Sequence, residues 1–365
     1  MSSVSRVAAL GLVSIIVGCT QVQSPAAAPA AAAASAAAAP PPSNTAPPAT
    51  AGDPRFDAEL SAYAYPFEVR FLELRSQNQP IKLAYMDVPA AKPNGHTVVL
   101  LHGKNFTAAY WEPTIRFLSA LGYRVIAPDQ IGFGKSSKPA AYQYSFQQLA
   151  NNTNAILDAA GVTQVSVVGH SMGGMLATRF ALMHPERVEK LVLVNPIGLE
   201  DWKLVVPYHS IDQWYEQEKK ATADTVREYQ RVSYYGGTWK PEYERLIEIA
   251  AGVTKHPDYP KTAWASALLY DMIFTQPVVY DFPHLKVPTM LVIGQRDRTA
   301  LGKAWVSKEV AATLGDYPVL GRRAAAAIPG ATLVEVPGVG HLPQVEAFET
   351  YSQALAKFLA TPGHP

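Results

Sequence analysis

The chain of 365 residues contains a single cysteine, Cys19, so an intrachain disulfide is excluded. Charge is scarce and balanced: charged residues make up 17% and the formal net charge is +1. No run of Lys and Arg, no zinc-like Cys/His spacing and no Walker loop is present. A nucleic-acid partner, which needs a basic face, is therefore not expected. Hydrophobic residues, by contrast, reach 48%. That is enough for a sizeable core in one large domain or two small ones.

The position of the cysteine says more than its number. A polar start with one positive side chain, Arg6, is followed by an apolar run over 7–17 and then by Gly18-Cys19. This is the outline of an export signal: charged start, apolar middle, small residue at the cut. The run is shorter than the roughly 20 apolar residues of a spanning helix. Ile16-Val17-Gly18-Cys19 resembles the lipobox of bacterial lipoproteins, which implies that Cys19 is lipidated and anchors the exported chain to the lipid bilayer of the cell envelope. An ordinary export signal beside a chance cysteine is the plainer alternative. Residues 1–18 are thus expected to be a signal peptide and 19–53 a disordered tether. That tether is almost all Ala, Pro, Ser and Thr, too poor in large apolar groups to offset its ordering entropy. Prolines at 25, 29 and 40–42 oppose the long helix that alanine would favour.

The folded domain is expected over 54–365. Segments 68–75 and 81–88 alternate like the two strands of a hairpin. Segments 97–101, 123–127, 165–168, 191–194, 289–293 and 331–336 read as further strands, several of them continuous apolar runs suited to burial on both faces. Helical patterns occupy 111–121, 146–160, 172–183 and 343–359. Alternation of strand and helix predicts an α/β fold with a mostly parallel central sheet. The rhythm breaks over about 196–287, where aromatic residues and helical stretches at 222–232 and 264–273 predict an inserted helical cap. Ligands in such sheets sit at the carboxyl ends of the strands, so a cap there would roof the site.

The chemistry concentrates after the strand at 165–168, in Gly169-His170-Ser171-Met172-Gly173-Gly174. This is G-x-S-x-G between a strand and a helix, the setting in which a sharp turn projects a serine hydroxyl above the sheet. The helix aims its first amides at the place where an oxyanion develops. Leu100-Leu101-His102-Gly103, the D-x-x-G-x-G-x-S run Asp129 to Ser136, and Gly169 to Gly174 together resemble the α/β-hydrolase superfamily over about residues 65–360. The resemblance implies an α/β-hydrolase fold and a serine hydrolase with neither metal nor cofactor. It also implies an acid and then a histidine later in the chain.

Of nine histidines, His341 in Val339-Gly340-His341-Leu342-Pro343 occupies the family's base position. His102 is expected to support the oxyanion loop, and His170 to point elsewhere at the elbow. His184 should end the elbow helix. Asp297, after the strand at 289–293, occupies the acid position; Glu200 and Asp201 compete with it, since some relatives draw the acid from there. The oxyanion hole implied by the resemblance uses the backbone amides of Met172 and Lys104, with Asn105 as a further donor. The Lys104 side chain either steers an acidic substrate group or reaches solvent, and solvent is the simpler expectation. Asp129 should tie its own loop.

These residues predict hydrolysis of a small-molecule carboxylic ester through Ser171, His341 and Asp297. The alternatives are a carbon–carbon bond hydrolase of the meta-cleavage type and a non-catalytic envelope binding protein on a hydrolase scaffold. The anchor reading has its own test: Cys19→Ala should move the protein from the membrane to the soluble fraction, and unchanged fractionation would refute it.

Overall fold

The computed structural model describes residues 55–361. The expected signal peptide, Cys19 and the tether lie outside them. Among the described residues no helix is long and apolar enough to cross a membrane.

β1 (Val69–Ser76) and β2 (Gln79–Val88) pair antiparallel. Gln77 and Asn78 between them both have positive φ, 49° and 61°, the conformation a two-residue hairpin turn requires. The remaining strands are β3 (Thr97–Leu101), β4 (Arg124–Pro128), β5 (Val165–His170), β6 (Val188–Val194), β7 (Thr289–Gly294) and β8 (Thr332–Val336). They form one eight-stranded sheet in the order β1-β2-β4-β3-β5-β6-β7-β8. From β4 to β8 every neighbouring pair is parallel.

Crossover helices cover both faces. α1 (Glu112–Ala120) follows β3, α2 (Phe146–Ala159) follows β4 and α3 (Met172–Met183) follows β5. Strand side chains alternate between two cores. Val99 and Leu101 pack with Leu149 of α2 and Phe180 of α3. Val98 and Leu100 pack with Ile115 and Leu118 of α1. All six residues of β5 and of β7 are buried, which explains the apolar Val165, Val167 and Val168 of β5 and the apolar run Met290 to Ile293 of β7.

Between β6 and β7 lie α4 (Ile211–Glu218), α5 (Ala223–Ser233), α6 (Glu244–Val253) and α7 (Tyr259–Thr275). The insertion is helical, as its sequence predicts. It is packed into the main body, where Leu269, Met272 and Ile273 of α7 join the first core. Ile197, Leu199 and Trp202 at the start, and Phe282, Leu285 and Val287 at the end, join the core of the main body. A short 3-10 turn over Val279–His284 leads from α7 towards β7.

After β7 come α8 (Lys308–Thr313) and α9 (Tyr317–Ala327); α9 adds Tyr317 and Leu320 to the first core. The chain closes with α10 (Pro343–Glu346) and α11 (Phe348–Ala360), not with one helix over 343–359. Ala347, at φ −138° and ψ 54°, breaks the run, and Glu346 turns back to accept the Gly340 N–H at 2.8 Å. At the other end, Phe56 and Leu60 pack with Val253 of α6, and the Phe56 N–H donates to the Gly252 carbonyl at 3.2 Å. The segment ahead of β1 is therefore bound to the cap.

Leu100 is fully buried in the parallel part of the sheet. Leu100→Ala should cost about 2–5 kcal/mol through lost burial and a residual cavity, read as a lower urea midpoint.

Candidate active site

Ser171 is the single residue between β5 and α3. Its backbone has φ 57° and ψ −121°, a region that costs a residue with a side chain on the order of 1–3 kcal/mol. Bonds on both sides hold it there. Its N–H donates to the Val194 carbonyl at 3.2 Å, and its carbonyl accepts from Gly174 at 2.9 Å and Ile197 at 3.2 Å. Backbone crowding explains two glycines of the motif. A Cβ on Gly169 would lie 2.1 Å from the Gly173 carbonyl oxygen, and one on Gly173 would lie 2.1 Å from that of Leu101.

The structure brings Ser171, His341 and Asp297 together in a buried line. His341 Nδ1 lies 2.6 Å from Asp297 Oδ2, and His341 Nε2 lies 2.9 Å from Ser171 Oγ. An ionised carboxylate only accepts, so Nδ1 carries the ring proton and Nε2 is left to accept from the serine hydroxyl. His341 and Asp297 are fully buried and Ser171 is 5% exposed. Asp297 is supported on both oxygens: Asn195 Nδ2 donates to Oδ2 at 2.7 Å, and the Thr299 N–H donates to Oδ1 at 2.8 Å. Burial pushes this carboxyl up. His341, Asn195 and Thr299 outweigh burial and hold it below its ordinary 3.8.

Glu200 and Asp201 stand elsewhere. Glu200 accepts from the Gly315 N–H and the Trp202 indole. Asp201 accepts from the Lys203 N–H and the Tyr280 hydroxyl.

The loop after β3 lies against the serine: a Cβ on Gly103 would be 3.0 Å from Ser171 Cβ. His102 Nε2 accepts the Gln130 N–H at 3.0 Å. Its Nδ1 must then donate to the Gly103 carbonyl, 2.9 Å away, so His102 joins the β3 and β4 loops. Asp129 ties its own loop, accepting from the N–H groups of Ala108 and Lys135 and from the Tyr65 hydroxyl. The Met172 amide opens α3 and has no acceptor within that helix.

Lys104 corrects an expectation. Its side chain does not reach solvent but runs under the cap, 10% exposed. Nζ donates to Ser266 Oγ at 2.7 Å, sits 3.5 Å from the centre of the Tyr270 ring and is 4.0 Å from Glu218. These partners offset the cost of burying the charge. Burial holds the ammonium below its usual range, against the pull of Glu218.

Several residues beside the line escaped sequence reasoning. Asn195 reaches Asp297 across 102 positions; its one sequence signal is a polar side chain just past a buried strand. Tyr234 stacks on the His341 ring at 4.5 Å, and its carbonyl accepts the His341 N–H at 3.2 Å. His170, by contrast, points elsewhere at the elbow as its sequence position predicts: Nε2 donates to the His341 carbonyl at 2.9 Å and Nδ1 accepts the Tyr110 hydroxyl, 3.0 Å away. Burial lowers His170 well below its usual range, so it is neutral. Arg296 bonds the Glu346 carboxylate, which joins the Asp297 loop to the Gly340–His341 turn.

A cavity of about 740 Å³ lies under the cap. Lys104, Phe106, Tyr229, Ile249, Leu269 and Tyr270 are in its wall, and Ser171 and His341 are not. Tyr229 stands edge-on to Tyr234, which stacks on His341. An aromatic layer thus lies between the cavity and the histidine.

A buried serine, histidine and aspartate at the carboxyl edge of a mostly parallel sheet define the class. The sequence pattern of the alpha/beta hydrolase fold family matches residues 96–348, and the chain belongs to that family of hydrolases. It is 54% identical to a probable hydrolytic enzyme of Pseudomonas aeruginosa PAO1 of known structure, over 85% of this chain and 99% of that one, with a TM-score of 0.83. It is 42% identical over 107 residues to a 2-hydroxymuconate semialdehyde hydrolase of Pseudomonas putida, a match that spans 29% of this chain and 38% of that protein. A longer match, at 27% identity, covers 73% of this chain and 88% of a 2-hydroxy-6-oxo-6-phenylhexa-2,4-dienoate hydrolase of Burkholderia cepacia.

Because Asp297 is depressed below 3.8, it stabilises the fold fully above that pH, and the contribution is lost as pH falls through the lower folded value. Asn195→Ala removes one of the groups that depress it. The variant should lose about 1–3 kcal/mol at neutral pH and acid-unfold at a higher pH than wild type, followed by circular dichroism.

Proposed function

We propose that this chain is a serine hydrolase of carboxylic esters, exported and anchored to the cell envelope through Cys19. The observation that carries the catalytic reading is the line Asp297–His341–Ser171, with a tautomer that leaves Nε2 free to take the serine proton. Ser171 Oγ attacks the ester carbonyl while His341 Nε2 accepts its proton. The carbonyl oxygen gains charge beside the Lys104 and Met172 amides, whose value lies in being oriented beforehand. His341 returns the proton to the departing alkoxide, and the alcohol leaves. Water then attacks the acyl-enzyme, giving its proton to His341. Ser171 Oγ departs with that proton, and the acid is released. Asp297 holds the ring and balances the imidazolium charge.

The carbon–carbon reading draws support from the two dienoate and semialdehyde hydrolases among the relatives. Two observations favour the ester. The cation on the oxyanion loop, Lys104, already faces Glu218 and Ser266, so it offers an acidic substrate no unbalanced charge. The cavity wall is rich in aromatic and aliphatic side chains, which suits the apolar arm of a neutral ester.

A fluorophosphonate probe should label the wild type and not Ser171→Ala. An ester series of graded acyl length should be hydrolysed, and a vinylogous diketone acid should not; the reverse preference would reject the ester reading. Asp297→Asn should lower kcat by about ten-thousand-fold through loss of the productive tautomer.

A further inference from the structure

We infer that Lys104 is a positioning residue through which the cap holds the oxyanion loop in its working geometry. The inference rests on the reading of Ser171 as nucleophile. Two consecutive residues of that loop grip two different parts of the cap. Lys104 Nζ bonds Ser266 of α7 at 2.7 Å and lies over the ring of Tyr270, one helical turn further along the same helix. It also faces Glu218, the last residue of α4. Ser266 passes the contact on, donating to Glu218 Oε2 at 2.5 Å. Tyr270 is itself fixed, stacked on Trp214 of α4 with ring centres 4.1 Å apart. The α4–α7 pair therefore presents one preformed socket to one ammonium.

Asn105 makes the second grip. Its side-chain amide donates to the Tyr234 hydroxyl at 2.7 Å, at the end of α5. Tyr234 in turn stacks on His341 and accepts its N–H. Cap contacts thus reach both the loop that offers the Lys104 amide and the histidine.

Lys104 is the stronger of the two links. A buried ammonium that loses its partners pays for desolvation in full, so displacement of α4–α7 must drag the loop or expose the charge. Gly103, adjacent to Lys104, lies against Ser171, and little slack remains to absorb a shift.

The test compares wild type with Lys104→Met, Ser266→Ala and Tyr270→Leu. It measures the fluorophosphonate labelling rate, kcat and KM on short and long p-nitrophenyl esters, and the thermal midpoint. Lys104→Met should remain folded and label roughly tenfold more slowly or worse, since misplacing an oxyanion donor is costly. The loss should fall on kcat more than on KM, and on short esters as on long ones. Ser266→Ala and Tyr270→Leu, which leave the Lys104 ammonium in place, should move labelling the same way by a smaller factor. Wild-type labelling rates in Lys104→Met, or a change confined to KM for long esters, would overturn the inference. If Lys104→Met does not fold, wild-type rates in both socket variants overturn it equally. A wild type that labels but hydrolyses no ester rejects the ester reading and leaves the labelling rates to decide this one. A wild type that does not label rejects both.

Discussion

The carboxyl edge of this sheet depends on one residue held in the left-handed region without being glycine. Ser171 can keep φ 57° only because its surroundings leave no alternative. Its amide and carbonyl are both committed to the chain that leaves β6, and the backbones at Gly169, Gly173 and Gly103 close in from other sides. Three strands, β3, β5 and β6, therefore meet around one strained peptide. The parallel register that aligns Leu101 with Gly169 and His170 with Val194 makes this meeting possible. Strain placed there is repaid by the buried apolar layers on either face of the sheet.

Around that turn the polar groups form a sequence of fixed donors and acceptors. Three buried histidines lie close to Ser171, and each has its tautomer set by a neighbour that can act in only one sense. A carbonyl accepts from His170, a backbone amide donates to His102, and a carboxylate accepts from His341. Two of the three thereby become scaffold, and only His341 presents a free acceptor to the serine. The low dielectric makes such commitments worth more than they would be in water, and makes any unpaired member costly.

Sequence patterns foretold the parts governed by local rules. All eight strands are legible because β-branched runs and hairpin alternation follow from burial on two faces or one. Ser171 is legible because a tight strand-to-helix turn demands glycines at fixed offsets. His341 and Asp297 lie on loops that follow their own strands, in the positions the family resemblance implies, and the structure brings both to Ser171. What eluded the sequence is non-local. Asn195 and Tyr234 are ordinary residues until folding sets them beside Asp297 and His341. Lys104 misled for a related reason: a lysine in a loop reads as solvated, and its burial is decided by Ser266, Glu218 and Tyr270, more than a hundred residues away. The break at Ala347 hides behind an apolar pattern that continues in phase across it.

The segment ahead of β1 carries a consequence for where the functional domain begins. Residues 55–66 have no regular strand or helix. Yet Ala58, Leu60, Tyr63 and Pro66 stand in the cavity wall, and Tyr65 bonds Asp129 at 2.7 Å. The packed domain therefore takes in the segment from Phe56 onward, ahead of its first strand. A chain cut back to Val69 would keep the strands of its sheet and its Ser–His–Asp line while losing this part of the cavity wall. It would still resemble a hydrolase in every strand, while lacking one side of the chamber beneath α4–α7.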